Sequence, residues 1–195
     1  DLLTVSISAD LVPMTGENRI LAFYGLRQIN SKPRIGLQAL MQKNSIIKEF
    51  TISDLVFSIA PRINAAGRME HAKKAVEILI EKNMSKAKLF SEAIEENNKL
   101  RKELDQTITN EAIGMIDENK KSTVVYSDKW HKGVVGIVAS RLIESHYKPT
   151  IVLAESDGVF TGSARSVHDF DLYEAILKCS HLCEKFGGHK YAAGL

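Results

Sequence analysis

At 195 residues, with 44% apolar and 26% charged side chains, the chain is long enough for one large or two small domains and is neither disordered nor fibrous in composition. A net charge of +2, from 26 basic and 24 acidic residues, means that a nucleic-acid partner would have to be held by a local basic cluster, because overall charge neither supports nor excludes one. Only Cys179 and Cys183 are present, too few for a disulfide framework; no apolar run approaches the roughly 20 residues of a bilayer span and no signal peptide is visible, so a reducing cytoplasm is the expected compartment.

The opening Asp1-Leu2-Leu3-Thr4-Val5 has no initiator Met and reads as the middle of a longer chain. Leu2 to Ile7 reads as a buried strand that delivers Asp10 at its carboxyl end, where α/β sheets bind ligands. After the turn from Pro13 to Gly16, the segments Asn18 to Asn30 and Gly36 to Gln42 have helical spacing, and Thr51 or Ser53 is placed to cap a third helix ahead of Pro61. Another helix is expected from Gly67 to Glu81. Ser85 is the expected N-cap of a long amphipathic helix reaching Asn119, because Phe90, Ile94, Asn97, Leu104, Ile108, Ala112 and Met115 recur every three or four positions. At 1.5 Å per residue it would extend roughly 50 Å, enough to link two domains or lie across both.

Beyond Lys120-Lys121, strands at Ser122 to Tyr126, Thr150 to Leu153 and Gly158 to Ala164 alternate with helices at Gly133 to His146 and Leu172 to Cys183, followed by a glycine turn. That alternation predicts a small α/β module from about Lys120 onward. The expected organisation is therefore α/β, with a first domain over 1–84, a connecting helix over 85–119 and a second domain over 120–195.

Several segments carry groups suited to phosphate chemistry. Asp10 can face a cleft and ligate a hard cation such as manganese or magnesium, or serve as a turn or cap residue. Ala60-Pro61-Arg62-Ile63-Asn64-Ala65-Ala66-Gly67-Arg68 brings two guanidinium groups, the Asn64 amide and a glycine into one stretch; a helix starting near Gly67 would put Arg68 in its first turn, where amides favour anions. The bland alternative is a surface loop paired with carboxylates. Trp130-His131-Lys132-Gly133 precedes a helix, so ring, imidazole, ammonium and helix-start amides could converge on a phosphodiester or a stacked base, or simply pack. Thr161 to Ser166 ends a strand with hydroxyls and one guanidinium, with Ser163 and Arg165 forming either a cradle for a terminal phosphate or turn filler. In Gly187-Gly188-His189 the glycines leave the imidazole unshielded, so His189 can donate to a phosphate oxygen; a helix-terminating glycine stop is the structural alternative. Cys179 and Cys183 are expected on one helical face with His181 off it, and no second ligand pair is present, so zinc is not expected.

Taken together, Ser8-Ala9-Asp10-Leu11-Val12-Pro13 through Gly16-Glu17-Asn18-Arg19, then Pro61 to Arg68, His131 to Gly136, and Gly187-Gly188-His189 through Ala192-Ala193-Gly194 resemble the RecJ family of DHH phosphoesterases in order and spacing. The Gly-Gly-His element is shared across DHH-associated domains, whereas Arg62 to Arg68 and Trp130 to Arg141 look more particular to the RecJ type. The resemblance implies the carboxyl-terminal part of a DHH domain and a DHH-associated domain joined by a long helix, with two divalent metals, manganese or magnesium, hydrolysing single-stranded DNA from its 5′ end in repair and recombination. It also implies a helicase and a single-strand-binding protein as partners.

Carried over by position, Asp10 looks like a metal-ligating aspartate, Arg68 and Arg62 like phosphate or DNA contacts, Ser163 and Arg165 like 5′-phosphate binders, and His189 with Gly187 and Gly188 like a substrate-phosphate contact. Asn64 and His131 join the same expected surface. The family's amino-terminal aspartate motifs and its Asp-His-His motif do not occur here, so this chain is expected to be an inactive fragment of an active enzyme. Two alternatives stand beside this reading: a DHH-type phosphodiesterase for short oligonucleotides or cyclic dinucleotides, and a noncatalytic nucleic-acid-binding module.

Overall fold

The computed structural model describes residues 1–42 and 49–195. They form two compact units, Asp1–Arg101 and Lys102–Leu195. The expected long helix is α7, Met84–Ile113, and its residues are divided between the two units. It starts one residue early because Asn83, not Ser85, caps it: the Asn83 side-chain oxygen accepts from Lys86 N at 3.1 Å. It stops at Ile113, ahead of Gly114, so its 30 residues extend about 45 Å.

The described part of the first unit is helical: α1 Leu2–Ala9, α2 Gly16–Ser31, α3 Ile35–Gln42, α4 Ile52–Asp54, α5 Ala60–Met69 and α6 Lys73–Ile80, with a π-helical turn over Leu55–Ile59. The expected strand over Leu2 to Ile7 is thus a helix. An apolar run this short suits either period, and the burial of Thr4, Val5, Ile7 and Ser8 follows helical spacing. Two polar members of that face bond within the helical layer: Ser8 Oγ donates to Thr4 O at 2.8 Å and Thr4 Oγ1 to Leu21 O at 3.3 Å. A Cβ on Gly25 would collide with the Thr4 hydroxyl, so the glycine of α2 permits the close approach of α1.

Thr51 caps α4 in a reciprocal box: Asp54 N donates to Thr51 Oγ1 at 3.3 Å, and Thr51 N to Asp54 Oδ2 at 2.7 Å. Thr51→Ala is expected to destabilise the unit by about 1 kcal/mol, read as a lower urea midpoint at unchanged slope. The helix does not end before Pro61, as expected from sequence, but passes through it. Ala60 N reaches back to Leu55 O at the π turn, and Pro61 follows directly in the first turn of α5, so the change of hydrogen-bond register falls where the N–H is missing. The expected helix from Gly67 to Glu81 is two, broken between Met69 and Lys73. Ile29, Leu37, Leu40, Leu55, Ile59, Ile78 and Ile94 form the centre of this unit's core.

The second unit holds a five-stranded sheet in the order β1 (Thr123–Ser127), β2 (Thr150–Ser156), β3 (Val159–Arg165), β5 (Ala192–Gly194), β4 (Gly187–His189). β1 and β2 are parallel, joined through α8, Val135–His146; the other pairs are antiparallel. α8 packs on β2 and β3. Asp157 and Gly158, both with left-handed φ, make the tight β2–β3 turn. α9 is Leu172–Lys178, shorter than expected; a 3₁₀ turn at Ser180–Leu182 follows, so Cys179 and Cys183 do not share an α-helical face. Ala164, Ala193, Leu172 and Ile176 form the small core on the α9 side.

Candidate nucleic-acid interface

In the second unit, β-pairing sets the chemistry. Ser163 pairs with Gly194 and Arg165 with Ala192 across β3 and β5, while Gly187 pairs with Gly194 and His189 with Ala192 across β5 and β4. Residues opposed in an antiparallel ladder point to one face, so Ser163, Arg165, Gly187 and His189 share a face, opposite Ala164 and Ala193 with their α9 core. The Gly187 to His189 segment, expected as a glycine turn, is therefore an edge strand. A Cβ on Gly188 would run into Ala192 O and lie 2.6 Å from Ala193 Cα, so glycine is required for β4 to pair with β5.

The amino end of α8 lies on the same face. A Cβ at Gly136 would sit 3.1 Å from Ser163 Oγ and 3.3 Å from Arg165 Nη2, so this glycine keeps the backbone of the first α8 turn close to both side chains. The N-cap, Val134, contributes no side-chain hydrogen bond to that turn. Arg165 Nη1 donates to Ser163 Oγ at 2.9 Å and to Ala164 O at 2.8 Å, which fixes the guanidinium in place. Uncapped helix-start amides, a held guanidinium, a hydroxyl and an edge imidazole make a group of donors suited to a phosphate.

The two histidines use the same local device. His131 Nδ1 accepts from Gly133 N at 3.0 Å and His189 Nδ1 from Tyr191 N at 3.3 Å, so in each neutral ring the proton resides on Nε2, which becomes a donor. The rest of the Trp130 to Gly133 expectation is corrected. Trp130 is only 4% exposed and its Nε1 donates to Glu111 Oε2 at 2.7 Å, so its ring is packed and unavailable for base stacking. Lys132 Nζ donates to Ser156 Oγ at 2.9 Å at the β2–β3 turn.

In the first unit, Asp10 is the exposed C-cap of α1, not the end of a strand, and its backbone N–H donates to Ser6 O at 3.0 Å. Arg62 is turned inward: its Nε lies 2.6 Å from Glu95 Oε2 and its Nη1 donates to Leu40 O at 3.3 Å, tying α5 to α3 and α7. Asn64 and Arg68 are exposed on α5. Arg68 falls in the last turn of its helix, so the helix-start argument for an anion there does not hold. Beside it, Glu70 is held below the usual carboxylate range by its hydrogen bond to Lys74. Among the described residues no three His, Cys, Asp or Glu side chains cluster to hold a metal, so these residues alone do not fit a two-metal centre.

Sequence reasoning took Gly136 only as the end of the His131 to Gly136 motif, without a role in the site, and missed Glu111 as the partner of Trp130. Both roles are defined by residues on another element.

Residues 119–195 match the DHHA1 domain. The whole chain is 38% identical to the single-stranded-DNA-specific exonuclease RecJ of Bacillus subtilis and 39% identical to that of Haemophilus influenzae, covering 26% and 36% of those proteins. The chain thus spans about a quarter to a third of the curated relatives it matches. The crystal structure of RecJ with Mg²⁺ from Thermus thermophilus superimposes with a TM-score of 0.89 at 32% identity, over 98% of this chain and 30% of that one. An exonuclease RecJ bound to manganese gives 0.88 at 32% identity, over 100% of this chain and 49% of that one.

Proposed function

Because this chain is RecJ-like along its whole length and carries a DHHA1 domain, we propose that it is a segment of a metal-dependent exonuclease that degrades single-stranded DNA from the 5′ end in the cytoplasm, in repair and recombination. The observation that supports this best is the shared face of Ser163, Arg165, Gly187 and His189 against the first turn of α8. In this reading, Arg165, Ser163 and the α8 amides hold the terminal phosphate. His189 donates from Nε2 to a phosphate nearer the scissile bond, with Gly187 and Gly188 keeping the strand thin enough for close approach. His131 serves as a further donor, and Asn64 and Arg68 contact the strand from α5, with Arg62 fixing that helix through Glu95.

These groups recognise phosphate and sugar, not base edges, so the site reads the end of the strand and not its sequence. When bound, a divalent metal supplies the activated water and charge neutralisation of hydrolysis. Asp10 would provide one ligand, and the others would have to come from outside the described residues.

The test compares 5′ exonuclease activity with manganese for this chain, the full-length protein and full-length Asp10→Ala. Activity is expected only in the intact wild type. Robust activity of the 195-residue chain would sink the fragment reading, and activity surviving Asp10→Ala would remove Asp10 from the metal centre. An inactive full-length protein would leave a nucleic-acid-binding module as the better description.

A further inference from the structure

We propose that Glu111, on α7, is a positioning residue that holds the loop leading into α8, and thereby sets selectivity for a terminal phosphate. This inference rests on the phosphate-site reading above. The amino end of α8 makes no side-chain cap of its own, so its placement depends on the loop before it. That loop is rooted at Trp130, whose ring is buried and whose single polar atom, Nε1, is held by Glu111 Oε2 at 2.7 Å.

From Trp130 the chain is held one residue after another. Gly133 N donates to His131 Nδ1 at 3.0 Å and Val134 N to His131 O at 3.1 Å, and Ile137 N and Val138 N then donate to Val134 O. Two residues past Val134, Gly136 lies against Ser163 and Arg165. A second tie fixes the body of the same helix: Arg141 Nη2 meets Asp105 Oδ2 at 2.8 Å, with the Asp105 side chain 1% exposed. The part of α7 in the second unit therefore holds α8 once directly, through Asp105, and once through the loop that leads into it, through Glu111. The Glu111 grip is the one that acts on the end facing the candidate phosphate site. A displacement of the first turn by an ångström would leave the helix intact while misaiming its amides, and misalignment of that size is costly in a preorganised site.

Full-length wild type, Glu111→Ala, Glu111→Gln and Trp130→Phe are to be compared on 5′-phosphorylated and 5′-hydroxyl single strands, with thermal unfolding recorded for each. Trp130 is the only tryptophan of this chain, so its indole N–H resonance in the 195-residue chain reports the grip directly. Glu111→Ala is expected to shift that resonance and to lower the preference for 5′-phosphorylated strand by about tenfold, through KM more than kcat. Glu111→Gln keeps an acceptor and is expected to restore most of the preference. Trp130→Phe, which keeps a smaller aromatic ring in place and loses the donor, is expected to behave like Glu111→Ala.

A wild-type preference that persists in both Glu111→Ala and Trp130→Phe would overturn the positioning role and leave the phosphate site standing. A lower melting temperature with an unchanged preference would likewise reduce Glu111 to a structural residue. A wild type indifferent to the 5′ phosphate would overturn the phosphate-site reading, and this inference with it.

Discussion

Arg165→Ala in the full-length protein is expected to reduce the preference for 5′-phosphorylated over 5′-hydroxyl strand by roughly 10- to 100-fold, the value of one or two charge-assisted hydrogen bonds. The geometry makes this the largest single effect in the site. The guanidinium is fixed by Ser163 Oγ and Ala164 O, and its Nη2 faces the first turn of α8 across Gly136. A residue held this firmly loses little entropy on binding an anion, so its removal costs nearly the full interaction. Arg165→Lys keeps the charge and loses the planar fork, and an intermediate value is expected. Gly136→Ala should act in the same direction with a smaller effect, because its methyl crowds Ser163 Oγ and Arg165 Nη2 and does not remove them. The measurement is the ratio of kcat/KM for the two strands; an unchanged ratio in Arg165→Ala would take Arg165 out of the phosphate site.

Two alanine substitutions in helices of the first unit are expected to change stability with opposite sign. In α3, a Cβ on Gly36 would be driven into the carbonyl oxygen of Ile78 and lie 2.7 Å from its carbonyl carbon. Backbone cannot yield as a side chain does, so α3 and α6 must separate, and Leu37, Leu40 and Ile78 lose their packing together. A loss of about 3 kcal/mol or more is expected for Gly36→Ala. In α5, a Cβ on Gly67 would meet Ala72 Cβ at 3.6 Å, an ordinary contact, and Gly67→Ala is expected to stabilise by about 0.5–1 kcal/mol through helix propensity and the unfolded chain. Urea unfolding followed by helical circular dichroism separates the two. If both substitutions destabilise alike, the close crossing at Gly36 is not what makes that position special.

In the second unit β1, β2, β3, α8 and α9 were legible in the sequence, because those strands are short apolar runs bounded by turn residues and the helices have their own period, whereas β4 and β5, built from Gly-Gly-His and Ala-Ala-Gly, carry no such signal and exist only by pairing, β5 with β3 and β4 with β5. The first unit was less so. Leu2 to Ile7 fits both periods, and only its packing against α2 across Gly25 settles it as helix. The stretch from Ile52 to Met69 was expected to break at Pro61, yet a π turn absorbs the missing N–H, and no local signal announces that. The same misplacement put Arg68 at a helix start when it sits at a helix end, which removed one physical argument for an anion there.

By itself the sequence determined the α/β class, the long helix that follows the break at Asn83-Met84-Ser85, and the set of phosphate-suited side chains, because these depend on composition, periodicity and motif order along the chain. Only the tertiary structure decided which of those side chains act together. β-pairing put Ser163, Arg165, Gly187 and His189 on one face, Glu95 drew Arg62 inward, and Glu111 took Trp130 out of reach of a base. The physical reason is that a side chain's availability depends on its nearest polar partner in space, and for Arg62 and Trp130 that partner lies on a separate element, far along the chain.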